Sequence, residues 1–195
     1  MGKGTIRIGT SGWHYKHWKN TFYPADIQQK NQLNFYTKHF KTVEINNSFY
    51  KLPTRKAFTD WRNETPADFI FSVKVNRYLT HMKKLVLDED AVHQFLEHAL
   101  ELQNKLGPLL FQLPPGWKIN LPRLESFLSF LPPDHRYVFE FRNKTWYQPD
   151  VYQILEKYNC AFCIYDLGHQ LSPLKVTADF VYIRLHGPGD NYQGS

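Results

Sequence analysis

The stretch TVEINNSFY, residues 42–50, reads first as a strand and then as a turn. Val43 and Ile45 alternate with Glu44 and Asn46, the period of two that sends successive side chains to opposite faces. Asn47-Ser48 is turn chemistry, and the aromatics Phe49 and Tyr50 follow it. A carboxylate and an amide therefore share one face of a strand otherwise suited to burial. A carboxylate facing a core is costly unless it is paired or used. The rest of the chain is expected to supply partners for Glu44.

The same period recurs outward from this stretch. Strands are expected at residues 6–10 (IRIGT), 42–46, 69–75 (FIFSVKV), 109–113, 136–142 (RYVFEFR), 161–166 and 180–186 (FVYIRLH). Helical spacing marks residues 31–40, 54–63, 90–106, 121–131 and 150–158. The clearest helix is 90–106, where Val92, Phe95, Leu96, Ala99, Leu102 and Leu106 make a stripe and Gly107-Pro108 is the expected stop. Residues 78–87 read as a loop holding Thr80-His81, and residues 167–179 have only weak helical signal. Strands alternating with helices along one undivided chain predict an α/β protein with a parallel sheet. Seven such strands favour a (β/α) TIM-type barrel forming a single domain over residues 1–195. A complete eight-unit barrel takes about 250 residues, so the last βα unit is expected to be missing from this chain. Gly9-Thr10-Ser11-Gly12 after the first strand lacks the spacing of a dinucleotide-binding loop.

The 195 residues are 42% hydrophobic and 22% charged, ordinary for a globular protein with one sizeable core. Aromatics reach 16%, enough to serve packing or ligand stacking. The formal charge of +6 favours anionic partners without naming nucleic acid, since Lys and Arg are scattered. Two cysteines, Cys160 and Cys163, are too few for a disulfide scaffold. Strand alternation would aim them at opposite faces, so buried structural thiols are preferred to a redox pair. The absence of an apolar leader or a spanning stretch predicts a cytoplasmic protein with no membrane partner.

Period two sorts the polar residues onto one face: Glu44 and Asn46, Ser72 and Lys74, Gln112, Glu140 and Arg142, Asp166, and Arg184 and His186. Most lie in the C-terminal half of their strand, where barrels of this kind build their sites. Glu44, Glu140 and His186 are the candidate catalytic groups. Lys74, Arg142 and Arg184 suit a phosphate or carboxylate held bidentately. Asn46, His81, Gln112 and Asp166 are further substrate-binding candidates. Trp13, Tyr15, Tyr50 and Trp146 could wall a pocket around a ring. Each has a plainer reading: Glu140 and Arg142 as a structural network, Asp166 as a strand end, the tryptophans as packing. A divalent metal is the variant, with Glu44, Glu140, Asp166 and His186 as an oxygen and nitrogen set. The cations in the same cavity and the absence of a local His-x-His or His-Glu-x-x-His pair count against it.

Several motifs in fixed order carry a family resemblance: GTSGWHY (9–15), FYP (22–24), TVEINNSFY (42–50), LGPLLFQLPP (106–115), FEFRNKTW (139–146) and YIRLHG (182–187). The chain resembles the YecE-like family, domain of unknown function 72, from about residue 6 to residue 195. The resemblance implies a TIM-barrel fold and names no activity; family members continue past this point through a further helix, strand and helix.

Two function classes fit. The first is an enzyme acting on a small anionic or phosphorylated substrate by acid–base chemistry, as a hydrolase, isomerase or lyase. The second is a binding module for nucleic acid or an anionic metabolite, without turnover. The enzyme class is preferred, because polar C-terminal faces of barrels are usually catalytic.

Overall fold

A computed structural model describes residues 4–168 and 170–187. Residues 188–195 lie outside the described residues. The chain divides into two compact units, each taken by itself. The first comprises residues up to Asn76 together with Asp90–Gly107; the second comprises Arg77–Glu89 and residues from Pro108 onward.

In the first unit β1 (Thr42–Ile45) pairs in parallel with β2 (Ile70–Lys74), with Glu44 opposite Ser72. Helix α1 (Gln32–Tyr36) is short, and its Tyr36 is fully buried. The Tyr36 hydroxyl donates to Thr42 O at 3.0 Å and accepts from Thr10 N at 3.0 Å, tying the N-terminal segment to β1. That segment, residues 6–10, forms no strand, contrary to its alternation; Ile6 is 86% exposed. It still runs beside β1, since Glu44 N donates to Thr10 O at 2.9 Å. A Cβ on Gly9 would lie 2.1 Å from Thr42 O, so only glycine permits that approach.

Helix α2 (Arg55–Asn63) starts where Thr54 Oγ1 accepts from Ala57 N at 3.2 Å, a hydroxyl satisfying one orphan amide of the first turn. The helix expected over 90–106 is shorter. Helix α3 (Glu89–Ala99) passes into a 3-10 stretch, Leu100–Lys105, broken at Gln103, whose φ is 51°. That left-handed backbone cannot continue a helix. The buried Lys105 ammonium then donates to Arg62 O and Thr65 O, both at 2.6 Å, near the end of α2.

In the second unit β3 (Leu106–Leu113, in this unit from Pro108 onward), β4 (Tyr137–Phe141) and β5 (Ala161–Leu167) run parallel. Asn120 caps α4 (Leu121–Phe130), accepting from Arg123 N at 3.0 Å; α5 (Pro149–Lys157) opens on a proline, whose missing N–H costs nothing there. Among the described residues no helix lies between β5 and strand β7 (Tyr182–Leu185). The chain instead turns back into β6 (Gln170–Leu171), antiparallel to β5, then runs extended. Ser172 Oγ accepts from Tyr165 N at 2.9 Å, and Thr177 Oγ1 accepts from Phe162 N at 2.8 Å. Side-chain hydroxyls thus take backbone donors on β5 that no strand partners. Strand β7 pairs in parallel with β5, with Tyr165 opposite Arg184.

The two faces of this sheet differ. One carries Phe111, Phe139, Phe141 and Phe162 beneath α4 and α5, with Phe111 and Phe139 stacked at 4.9 Å and Phe127 of α4 edge-on to Phe111. The other begins apolar with Leu110, Val138 and Ala161, then turns polar toward the C-terminal strand ends. The α/β class and the parallel pairing follow the alternation in the sequence. The described residues hold seven strands, one of them antiparallel.

Candidate functional site

Register builds the site. Gln112 of β3 lies opposite Glu140 of β4, and Phe139 lies opposite Phe162 of β5, which places Cys163 level with Glu140. Cys163 in turn lies opposite Tyr182 of β7, and Tyr165 opposite Arg184. One row therefore holds Gln112, Glu140 and Cys163. The next, two residues on, holds Arg142, Tyr165 and Arg184, and His186 follows just past β7.

Glu140 is fully buried, and both its oxygens are engaged. Arg142 Nε donates to Oε1, and Arg184 Nη1 donates to Oε2 at 2.6 Å. Burial alone would raise the carboxyl pKa. The charges and hydrogen bonds of Arg184 and Arg142 outweigh it and hold Glu140 below the usual carboxylate range. The Cys163 thiol sits 3.7 Å from Oε2. Glu140 is thus a fixed anion rather than a proton carrier poised near neutrality.

Arg142 is the pivot. Its Nη2 lies 3.2 Å from His186 Nε2. A guanidinium only donates, so Nε2 accepts, which requires a neutral ring protonated on Nδ1. The guanidinium carbon lies 4.7 Å from the centre of the Tyr165 ring. The side chain keeps 12% exposure, and its Nη1 has no hydrogen bond among the described residues. Glu140, His186 and Tyr165 therefore hold this cation on three sides, with one nitrogen left over.

Of the residues expected at the site, Glu140, Arg142, Arg184 and His186 come together, with Gln112 half-buried beside Glu140. Asp166 does not join them. It is exposed and alternates with Tyr165, so it faces away from Arg142. Trp146 is not a pocket wall. It is fully buried on the aromatic face, stacked on Phe141 at 4.9 Å, and its Nε1 donates to Trp117 O. His81 lies on a π turn, Tyr78–Met82, hydrogen-bonded to Thr80 Oγ1 at 2.9 Å.

The remaining candidates belong to the first unit. Glu44 is buried on β1, and Asn46 donates to Ser11 O at 3.0 Å. Lys74 lies 4.3 Å over the Phe49 ring. Tyr15 donates to Ser11 O, and Tyr50 is exposed. Trp13 is core, 4% exposed and edge-on to Trp61, because its large apolar surface is best satisfied there.

The metal variant gains no support from the donors among the described residues. Among the described residues no three His, Cys, Asp or Glu side chains could hold a metal ion. Asp166 faces away, and both Glu140 oxygens are taken by guanidiniums. Neither cysteine forms a disulfide, and burial pushes the Cys160 thiol up to about 12, which makes it unreactive. Cys163 and Tyr165 are the residues of this face that sequence reasoning missed.

A profile of the family described as "Protein of unknown function DUF72" matches residues 7–195. The chain belongs to the DUF72 family. It is 31% identical over 157 residues to the UPF0759 protein YunF of Bacillus subtilis, covering 76% of this chain and 54% of that relative. It is 30% identical over 143 residues to the UPF0759 protein YecE of Escherichia coli, covering 73% of this chain and 50% of that one. The chain thus spans about half the length of these relatives. A DUF72 family protein from Thermotoga maritima superposes with a TM-score of 0.84 at 27% identity, over 94% of this chain and 75% of that one. A DUF72 family protein from Enterococcus faecalis shares the fold at 22% identity, with a TM-score of 0.77 over 95% of this chain and 72% of that one. Among the described residues of this DUF72 chain, no helix is long and apolar enough to cross a membrane.

Proposed function

We propose that this DUF72 chain binds a small phosphate- or carboxylate-bearing molecule on Arg142 and performs acid–base chemistry on it, at the C-terminal strand ends of a TIM-type barrel. The observation that carries this reading is the restrained guanidinium of Arg142. Nε is held by Glu140, Nη2 faces His186, and Nη1 keeps two donors unused on a partly exposed side chain. A cation fixed in this way has already lost the side-chain freedom that anion binding would otherwise cost. Arg184 supports it by sharing the same carboxylate. Glu140 anchors, and His186, whose Nε2 faces Arg142 Nη2, is the imidazole of the site and the group suited to moving a proton.

The test is calorimetric titration with inorganic phosphate, run beside turnover assays on phosphomonoesters and hydroxy acids. Wild-type protein is expected to bind phosphate, and Arg142→Gln to weaken binding at least about tenfold, the scale of one charge-assisted contact. His186→Asn is expected to bind phosphate and lose turnover. Wild-type protein that ignores phosphate and carboxylates would overturn the reading. Binding with no turnover on any substrate would leave the anion site and remove the enzyme.

A further inference from the structure

Two tyrosine hydroxyls that converge on the peptide before Arg142 are not explained by anion binding alone. The Tyr165 hydroxyl lies 3.2 Å from Phe141 O, and the Tyr147 hydroxyl lies 3.1 Å from the same oxygen. The two hydroxyls are 2.7 Å apart, closing a triangle. Gln170 Nε2, on β6, donates to Tyr165 at 3.4 Å. The carbonyl they share belongs to the residue immediately before Arg142. Burial, then the Tyr147 hydrogen bond, raise the Tyr165 phenol well above its usual range, so its proton stays in place.

We propose that Tyr165 and Tyr147 form a brace that sets the direction of the Arg142 guanidinium, making them positioning residues of the anion site. Tyr165 acts twice. Its ring lies under the guanidinium at 4.7 Å, and its hydroxyl fixes the peptide from which that side chain departs. Tyr147 holds the same peptide from the loop after β4, and Gln170 makes the β6 hairpin part of the support. The ring face under the guanidinium carbon limits its swing while Glu140 and His186 meet its nitrogens. Strand β6, which follows β5, thereby gains a role: it delivers Gln170 to the brace. The consequence for affinity rests on the anion reading above; the geometry of the brace does not.

The experiment has two arms on Tyr165→Phe, Tyr165→Leu and Tyr147→Phe. The first observes the ¹⁵N-bound guanidinium protons of Arg142, identified by their loss in Arg142→Gln. In wild type they are expected to be shifted upfield by the Tyr165 ring and protected from solvent exchange. Tyr165→Leu should abolish the shift and speed exchange, while Tyr165→Phe retains the shift. The second arm titrates inorganic phosphate. Tyr165→Leu is expected to weaken binding about tenfold, within the range of a partly buried cation–π contact. Tyr165→Phe should weaken it only about twofold, because Tyr147 still serves the carbonyl. Arg142 signals unchanged in Tyr165→Leu would overturn the brace. Intact signal behaviour in a protein that ignores phosphate would uphold the brace and remove the anion reading instead.

Discussion

The two faces of β4 are equally buried and opposite in chemistry. Phe139 and Phe141 face α4 and α5 in a stack of rings, while Glu140 and Arg142, one residue out of phase, face the polar rows. The aromatic face is satisfied by shape alone, since apolar burial is non-directional. The polar face survives only because each buried charge has named partners, and removing one leaves another stranded. One face should therefore answer to volume and the other to charge.

The largest effect is expected from Glu140→Ala. It strands two guanidiniums and should cost about 3–5 kcal/mol in urea unfolding, together with loss of phosphate binding. Trp146→Ala should also cost about 3 kcal/mol or more through the cavity it leaves, yet keep the phosphate affinity of the folded fraction. If both variants lost binding equally, the two faces would not be separable. Acid should discriminate the faces as well. Glu140 has its folded pKa lowered, so its stabilising contribution is present above the unfolded value, near pH 4, and is lost as pH falls through the folded value. In Arg142→Gln, with one cause of the lowering gone, that loss should begin at higher pH. Urea midpoints between pH 2 and pH 7 read this. At the small end, Asp166→Asn should change stability by less than about 0.5 kcal/mol and leave binding unaltered, because the side chain is exposed and turned away.

Much of this contrast is legible in the chain. In RYVFEFR the charges and rings alternate so sharply that one register fits, and β7 is similar, with Arg184 and His186 alternating with Ile183 and Leu185. Strand β5 is harder. AFCIYD is apolar on both faces until Asp166, and a lone charge draws the reader's register to its own side. The inward residues are Cys163 and Tyr165, visible only once pairing with β4 and β7 is known. Residues 6–10 alternate as a strand does but form no ladder, and Ile6 and Ile8 are exposed, since alternation names neither a segment's partners nor its burial. The end of α3 was hidden because Gln103 in left-handed backbone leaves the apolar stripe through Leu102 intact. Aromatic content misled at Trp13 and Trp146, where composition does not distinguish a ring lining a pocket from one in a core.

A crystal structure of wild-type protein grown with inorganic phosphate shows whether Arg142 is the anion's partner. The account predicts a phosphate oxygen within about 3 Å of Arg142 Nη1, with Glu140 still bridging Arg142 and Arg184 beneath it. An Arg142 swung away from Glu140 and Tyr165, or a phosphate bound elsewhere with Nη1 bare, would contradict it.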